Sequence, residues 1–139
     1  MLYIRNKQNL SEVVFKNHTI YYERSAFSLV KSLAEKMFFS YESRVKQVKK
    51  QLNINVRIPL YLNNELLLIP TMSPKNYETI WLNYFKILKL VKNNQKTIVV
   101  FNNLESLEVN ISYNILKRGL ANAAVVLNKY LIRNNNALL

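Results

Sequence analysis

The sequence predicts an α+β fold: a mainly antiparallel β-sheet of hairpins with two long amphipathic helices packed against it. Three observations carry that expectation. From Ile58 to Tyr113, apolar runs of strand length are punctuated by turn residues at Asn63-Asn64, Asn93-Asn94 and Asn102-Asn103. Before this stretch, residues 26–51 space their apolar side chains by threes and fours, the helical period. After it, residues 113–133 do the same. At 139 residues the chain is long enough to bury a core and is most simply one domain, 1–139.

The first 25 residues read as one or two short strands, with Val13-Val14-Phe15 and Thr19-Ile20-Tyr21-Tyr22 flanking a Lys16-Asn17-His18 turn. His18, the only histidine, belongs to that turn rather than to a metal or acid–base site, because no second His or Cys stands near it. The first helix puts Phe27, Val30, Ala34, Met37, Tyr41, Val45, Val48 and Leu52 on one face. Ser25 caps its start, no Gly or Pro interrupts it, and Glu42 with Lys46 forms an i,i+4 pair on it. The stripe lasts under four heptads, which favours packing on a sheet over a coiled coil. Its second half carries Arg44, Lys46, Lys49 and Lys50, with Arg57 soon after. One or two cations would complement the helix dipole; this cluster exceeds that need.

Residues 53–70 alternate, with Ile54, Val56, Ile58, Leu60 and Leu62 on one face and Asn55, Arg57, Pro59 and Tyr61 on the other. That pattern is a strand with one buried side, and Pro59 argues for an edge position or a bulge. Asn63-Asn64 reverses the chain into Leu66–Ile69, and a polar loop then leads to Trp81. Three further strands are expected at Tyr84–Val91, Thr97–Phe101 and Leu107–Ile111. Lys86, Lys89, Lys92 and Lys96 cluster around that hairpin, either as a phosphate patch or as charges that guard an exposed edge. Ser112 caps the last helix, whose stripe is Tyr113, Leu116, Leu120, Ala123, Leu127 and Leu131. Gly119, the only glycine, forms a small-x-x-x-small face with Ala123, which suits close packing within the chain or a homodimer seam. The Asn134-Asn135-Asn136 end is expected to fray.

Composition narrows the function. Twenty Lys and Arg stand against eight acidic residues, all Glu, for a formal charge of +12. The pI is near 10.0. Such an excess points to a polyanionic partner, nucleic acid first and an anionic membrane surface second. With no cysteine, disulfides, thiolate zinc sites and Cys nucleophiles are excluded. A single Gly rules out a glycine-rich phosphate loop, and Glu105 and Glu108 have nothing near them to perturb a carboxylate. No enzyme activity, no cofactor and no metal is therefore expected. No apolar run reaches membrane-spanning length and the N-terminus has no signal region, so a cytoplasmic location is expected.

The hairpin stretch also has an ordered set of landmarks. Pro59 leads an apolar strand, a second strand ends at Pro70-Thr71, and Ile80-Trp81-Leu82-Asn83 follows after a turn; Asn110-Ile111-Ser112-Tyr113-Asn114 comes last. From Ile58 to Asn114 this set resembles the ComK family of competence transcription factors, with a further patch at Phe38 to Lys46. The resemblance implies a regulator of DNA-uptake genes that binds paired A-rich and T-rich boxes, largely through the minor groove, as an oligomer. Phe38-Phe39-Ser40-Tyr41-Glu42-Ser43-Arg44 matches the family's aromatic and Ser-Tyr-x-x-Arg segment, which nominates Arg44. The family's Arg-Ser-Cys element has no counterpart at that place, since Glu23-Arg24-Ser25 lies too far upstream, and the segment's glycines are gone. The acidic N-terminal lead is shortened and the C-terminal tail, with its Met-Leu-Tyr-Pro type motif read by a protease adaptor, is missing. The chain thus reads as a shortened, diverged relative for which adaptor-protease recognition is not expected.

The expected function is a DNA-binding transcriptional regulator acting on A/T-rich double-stranded DNA as a homo-oligomer. Its DNA-binding residues are expected to be Arg44, Lys46, Lys49, Lys50 and Arg57. No zinc finger is possible and no pair of helices with a tight turn is evident, so Arg or Lys entering the narrow minor groove of A/T tracts is the expected mode. Tyr41 and Trp81 are expected in the core. The alternative is a shortened relative that pairs with a full-length activator and modulates it without binding DNA itself. A basic membrane-surface protein would need a helix with an exposed apolar stripe, and here a sheet is available to cover both stripes.

Overall fold

The computed structural model describes residues 1–137, with side chains through Arg133. Its elements are β1 (Tyr3–Lys7), β2 (Leu10–Val14), β3 (Thr19–Tyr22), α1 (Ala26–Lys36), α2 (Tyr41–Leu52), β4 (Leu60–Asn63), β5 (Leu66–Pro70) and β6 (Ile80–Asn83). A single 3-10 turn (Tyr84–Lys86) leads into β7 (Ile87–Asn93), β8 (Lys96–Phe101), β9 (Ser106–Val109) and α3 (Tyr113–Ala137). The α+β class is as the sequence predicts, with the strands divided between two antiparallel sheets. Six strands run in the order β3-β2-β1-β6-β5-β4, and three in the order β7-β8-β9.

The six-stranded sheet is covered on both faces. Leu68 and Trp81 point to one side, into a core with Ala26, Leu29, Val30 and Ala34 of α1 and with Tyr41. Their strand neighbours Leu67 and Ile69 point to the other side, against Val48 of α2 and Ala123 and Val126 of α3. Leu82 shares that side with Val99, Phe101 and Val109 of the small sheet and Leu116 of α3. Because successive strand side chains alternate in direction, a strand buried on both faces must be apolar throughout, and β5 is. Trp81 is wholly buried, stacked on Phe27 at 6.1 Å and edge-on to Tyr41 at 6.2 Å between ring centroids. It is a core anchor, as expected, and its indole N–H finds no partner among the described residues. Asn83 is buried too: its amide donates to the carbonyls of Met1 (2.8 Å) and Glu65 (3.1 Å), and its oxygen accepts from Leu67 and Phe85 N–H.

Several local expectations are corrected. The N-terminal 25 residues hold three strands, not one or two, because Tyr3–Lys7 pairs with both β2 and β6. The helix expected over 26–51 is two helices. Phe38 adopts a left-handed φ of 64°, Phe38 N–H donates to Glu35 O (3.0 Å) and Phe39 N–H to Ala34 O (3.2 Å). Those two bonds make a Schellman stop, which satisfies the last carbonyls of α1. Ser40 then starts α2, its Oγ accepting from Ser43 N–H at 3.1 Å. Glu42 does not pair with Lys46 but reaches back to Lys31 on α1 at 2.9 Å, and that ammonium holds its carboxyl below the usual range.

The strand expected from residue 53 begins only at Leu60. Asn53 and Arg57 take positive φ values of 55° and 44°, so the chain turns there, and Val56 is left 58% exposed. β4 is an edge strand with a bulge between Tyr61 and Asn63, as Pro59 suggested. Gly119 and Ala123 are buried, and a Cβ on Gly119 would lie 3.4 Å from the Ile69 side chain. Their small face packs on β5 within the chain, so it is not a homodimer seam. Asn134–Asn136, the end expected to fray, lie in the last turns of α3.

Candidate nucleic-acid interface

α2 is amphipathic by spacing: Tyr41, Val45 and Val48 turn inward, while Lys46, Lys49 and Lys50 share one exposed face at i, i+3 and i+4. Asn53 ends the helix in the left-handed region, its N–H donating to Lys49 O at 3.2 Å. Lys49 and Lys50 occupy the last turn, where the helix dipole favours cations. The turn at Arg57 brings its half-buried side chain back to the same region. Lys49 and Arg57 line one groove of about 350 Å³ with Asn55, Val56, Ser73 and Pro74. Four of the five expected residues therefore belong to one surface. None of the four pairs with a carboxylate among the described residues.

Arg44 lies elsewhere on α2. Its guanidinium donates to Tyr61 O at 2.7 Å, lies 3.7 Å from the Phe39 ring centroid and 4.8 Å from that of Tyr130. Burial lowers its pKa from the ordinary arginine value, and the nearby Arg133 guanidinium adds to that while Tyr130 opposes it. Lys129 and Arg133 of α3 line the α2–α3 groove beside it. Sequence reading missed these two cations. Their signal is present, since Lys129 and Arg133 stand four apart on a helix, but only the docking of α3 on α2 relates them to Arg44.

The lysines of the second sheet sit in different surroundings. Lys96 pairs with Glu108 at 3.4 Å, and Lys92 lies over the Tyr113 ring at 5.8 Å. Lys89 and Lys92 are exposed along β7, an edge strand. Lys86 instead faces Lys16 across a cleft of about 450 Å³, where the β2–β3 and β8–β9 turns meet. His18 lines the same cleft and stacks on Phe15 at 4.6 Å, a turn residue as expected. α1 and α2 are in fact joined by a tight turn, which the sequence did not reveal. Even so, the first turn of α2 carries Glu42, where helix-turn-helix proteins place base-reading side chains. The cations gather at the other end of the helix. Among the described residues, no group of His, Cys, Asp and Glu could hold a metal ion, and no helix is long and apolar enough to cross a membrane.

Lys46, Lys49 and Lys50 thus make a basic helix face on an α+β body. The sequence model of the ComK family, described as ComK protein, matches residues 2–135. The chain belongs to the ComK family, and so is a ComK-like competence regulator. No curated protein and no solved structure matches it.

Proposed function

We propose that this chain is a DNA-binding transcriptional regulator that engages A/T-rich promoter boxes through the minor groove and so controls DNA-uptake genes. In this reading it is one cytoplasmic domain with no catalytic activity, and it acts as a homodimer or larger. The observation that carries the reading is the shared exposed face of Lys46, Lys49 and Lys50, with Arg57 beside it and no carboxylate on any of the four, on a chain of charge +12. Lysines so placed neutralise phosphates and release counterions, and an Arg at the rim of the face suits the electronegative groove of an A/T tract. Arg44, with Lys129 and Arg133, extends the cationic surface toward α3.

The test is binding to an A/T-tract duplex and to a G/C-rich duplex of equal length, across a salt series. The A/T preference is expected to persist at about 150 mM salt. Lys46→Ala/Lys49→Ala/Lys50→Ala should weaken binding to both duplexes and flatten the log–log salt slope by up to about 3, near 0.9 per lost phosphate contact. Equal binding to both duplexes that salt erases would sink specific recognition. It would move ahead the alternative, in which the chain modulates a full-length activator by pairing with it.

A further inference from the structure

A strand at the edge of a sheet presents unpaired N–H and C=O groups, and proteins guard such edges with charge, proline, bulges or cover. Three of the four edges here are guarded. β4 follows Pro59, carries a bulge, and has its Tyr61 carbonyl taken by Arg44. β7 has a register shift between Ile87 and Lys89 and the exposed cations Lys89 and Lys92. β9 carries exposed Glu108, which pairs with Lys96. β3 is different. Thr19-Ile20-Tyr21-Tyr22 has no charge, no proline and an unbroken register with β2, yet all four residues are exposed, Tyr21 by 51%.

The hydrogen-bond parity of β3 shows what it offers. Phe15 N–H donates to His18 O at 2.8 Å across the turn, and bonded and non-bonded pairs alternate from there. Ile20 and Tyr22, opposite Val13 and Ser11, therefore turn their backbone groups to β2. Those of Thr19 and Tyr21 face outward.

We propose that β3 is the seam through which two copies of this chain pair, antiparallel and edge to edge. The proposal rests on the oligomeric part of the reading above and assigns it a surface. A two-fold axis normal to the sheet relates such copies, and centring it on Tyr21 lets the two Tyr21 residues exchange N–H···O bonds. Thr19 then meets Glu23 of the second copy, and Ile20 packs across from Tyr22. The charges at the strand ends fit this arrangement. Lys16 precedes the strand and Glu23 follows it, while Arg24 is folded back onto Ser28, so an antiparallel copy sets each Glu23 near the other's Lys16 turn. A parallel or unrelated strand gains no such match.

The experiment is molar mass by light scattering at high micromolar concentration for the wild type, Tyr21→Pro and Tyr21→Lys. Proline removes an outward N–H that the β2 ladder does not use, so the fold survives, and lysine adds the guard that β3 lacks. The wild type is expected at twice the 16.4 kDa chain mass and both variants at one chain mass, with unchanged far-UV circular dichroism. Amide exchange should show Thr19 and Tyr21 protected in the wild type and open in Tyr21→Lys. A monomeric wild type overturns the oligomeric reading itself. A folded variant that keeps the wild-type mass, or Thr19 and Tyr21 amides that exchange freely in a dimer, overturns this seam and leaves DNA binding to be judged by the duplex test.

Discussion

Arg44 is engaged by its own protein before any ligand arrives. Its guanidinium satisfies an edge carbonyl of β4 and lies against two aromatic rings, so it ties α2 to β4 and α3. Arg44→Ala should therefore lower stability by about 1–2 kcal/mol in urea unfolding, the loss of a charge-assisted bond plus side-chain packing. Lys49→Ala, on the exposed face, should stay within about 0.5 kcal/mol. A loss of DNA binding in an Arg44 variant has to be read against that difference. Tyr41 makes a prediction about pH. Burial raises its pKa from 10.0 to about 12, so the folded state favours the neutral phenol. That contribution is fully present below pH 10.0 and is lost as pH rises through about 12. Thermal scans over this window should show Tyr41→Phe losing less stability than the wild type. An equal loss would place the alkaline sensitivity in other groups.

At the scale of elements, the break between α1 and α2 is the feature that periodicity hides. The apolar stripe from Phe27 to Leu52 keeps its threes and fours across the break, because both helices pack one face on the same sheet. No glycine announces the stop. The chain instead places Phe38 in the left-handed region with 96% of its surface exposed. An L-residue there costs roughly 1–2 kcal/mol and an exposed ring returns little, whereas glycine avoids the clash but loses more entropy on folding. Phe38→Gly should raise stability by about 0.5–1 kcal/mol, a shift of a few degrees in Tm. A lower Tm would mean that the Phe38 ring contributes packing that its exposure does not show.

For the whole molecule, charge acts in opposite directions on the two proposed associations. Binding to DNA releases counterions and weakens as salt rises. Pairing two chains of +12 gathers like charge, so screening should strengthen it. One salt series read by DNA binding and by light scattering should show affinity falling while the dimer fraction rises. If both fall together, ionic contacts between the chains, such as Glu23 with the Lys16 turn of the second copy, outweigh the net repulsion. With α1 on one face of the large sheet and α3 with the small sheet on the other, Val30 and Ala34 of α1 and Leu116, Ala123 and Val126 of α3 are spent inside. The outward side of α3 carries Lys117, Arg118 and Lys129 beside exposed Ile115, Val125, Leu131 and Ile132, so Leu131 of the expected stripe is not covered.

Much of the fold was legible because it depends on local rules. The Asn-rich reversals, the Ser25 and Ser112 caps, the edge position after Pro59 and the burial of Tyr41 and Trp81 follow from turn chemistry, capping and periodicity. The landmarks behind the family resemblance prove structural: Trp81 fills the core, Asn83 ties the N-terminal segment to the β4–β5 turn, and Ser112 caps α3. They report the fold, and the proposed interface is argued from the cations around them. Of that interface, the grouping of Lys46, Lys49 and Lys50 could be read from helical spacing alone. The position of Arg57 beside Lys49, of Arg133 beside Arg44, and the packing of Gly119 on Ile69 could not, because these are contacts between elements distant in the chain. Class, charge and most element types are readable from the chain alone, since those depend on residues near one another. Which cations are spent on the fold, which sheet edge stays open and which residues share a surface emerge only when the elements are packed. Those outcomes depend on how the elements pack, and packing of distant segments leaves no periodic mark in the chain.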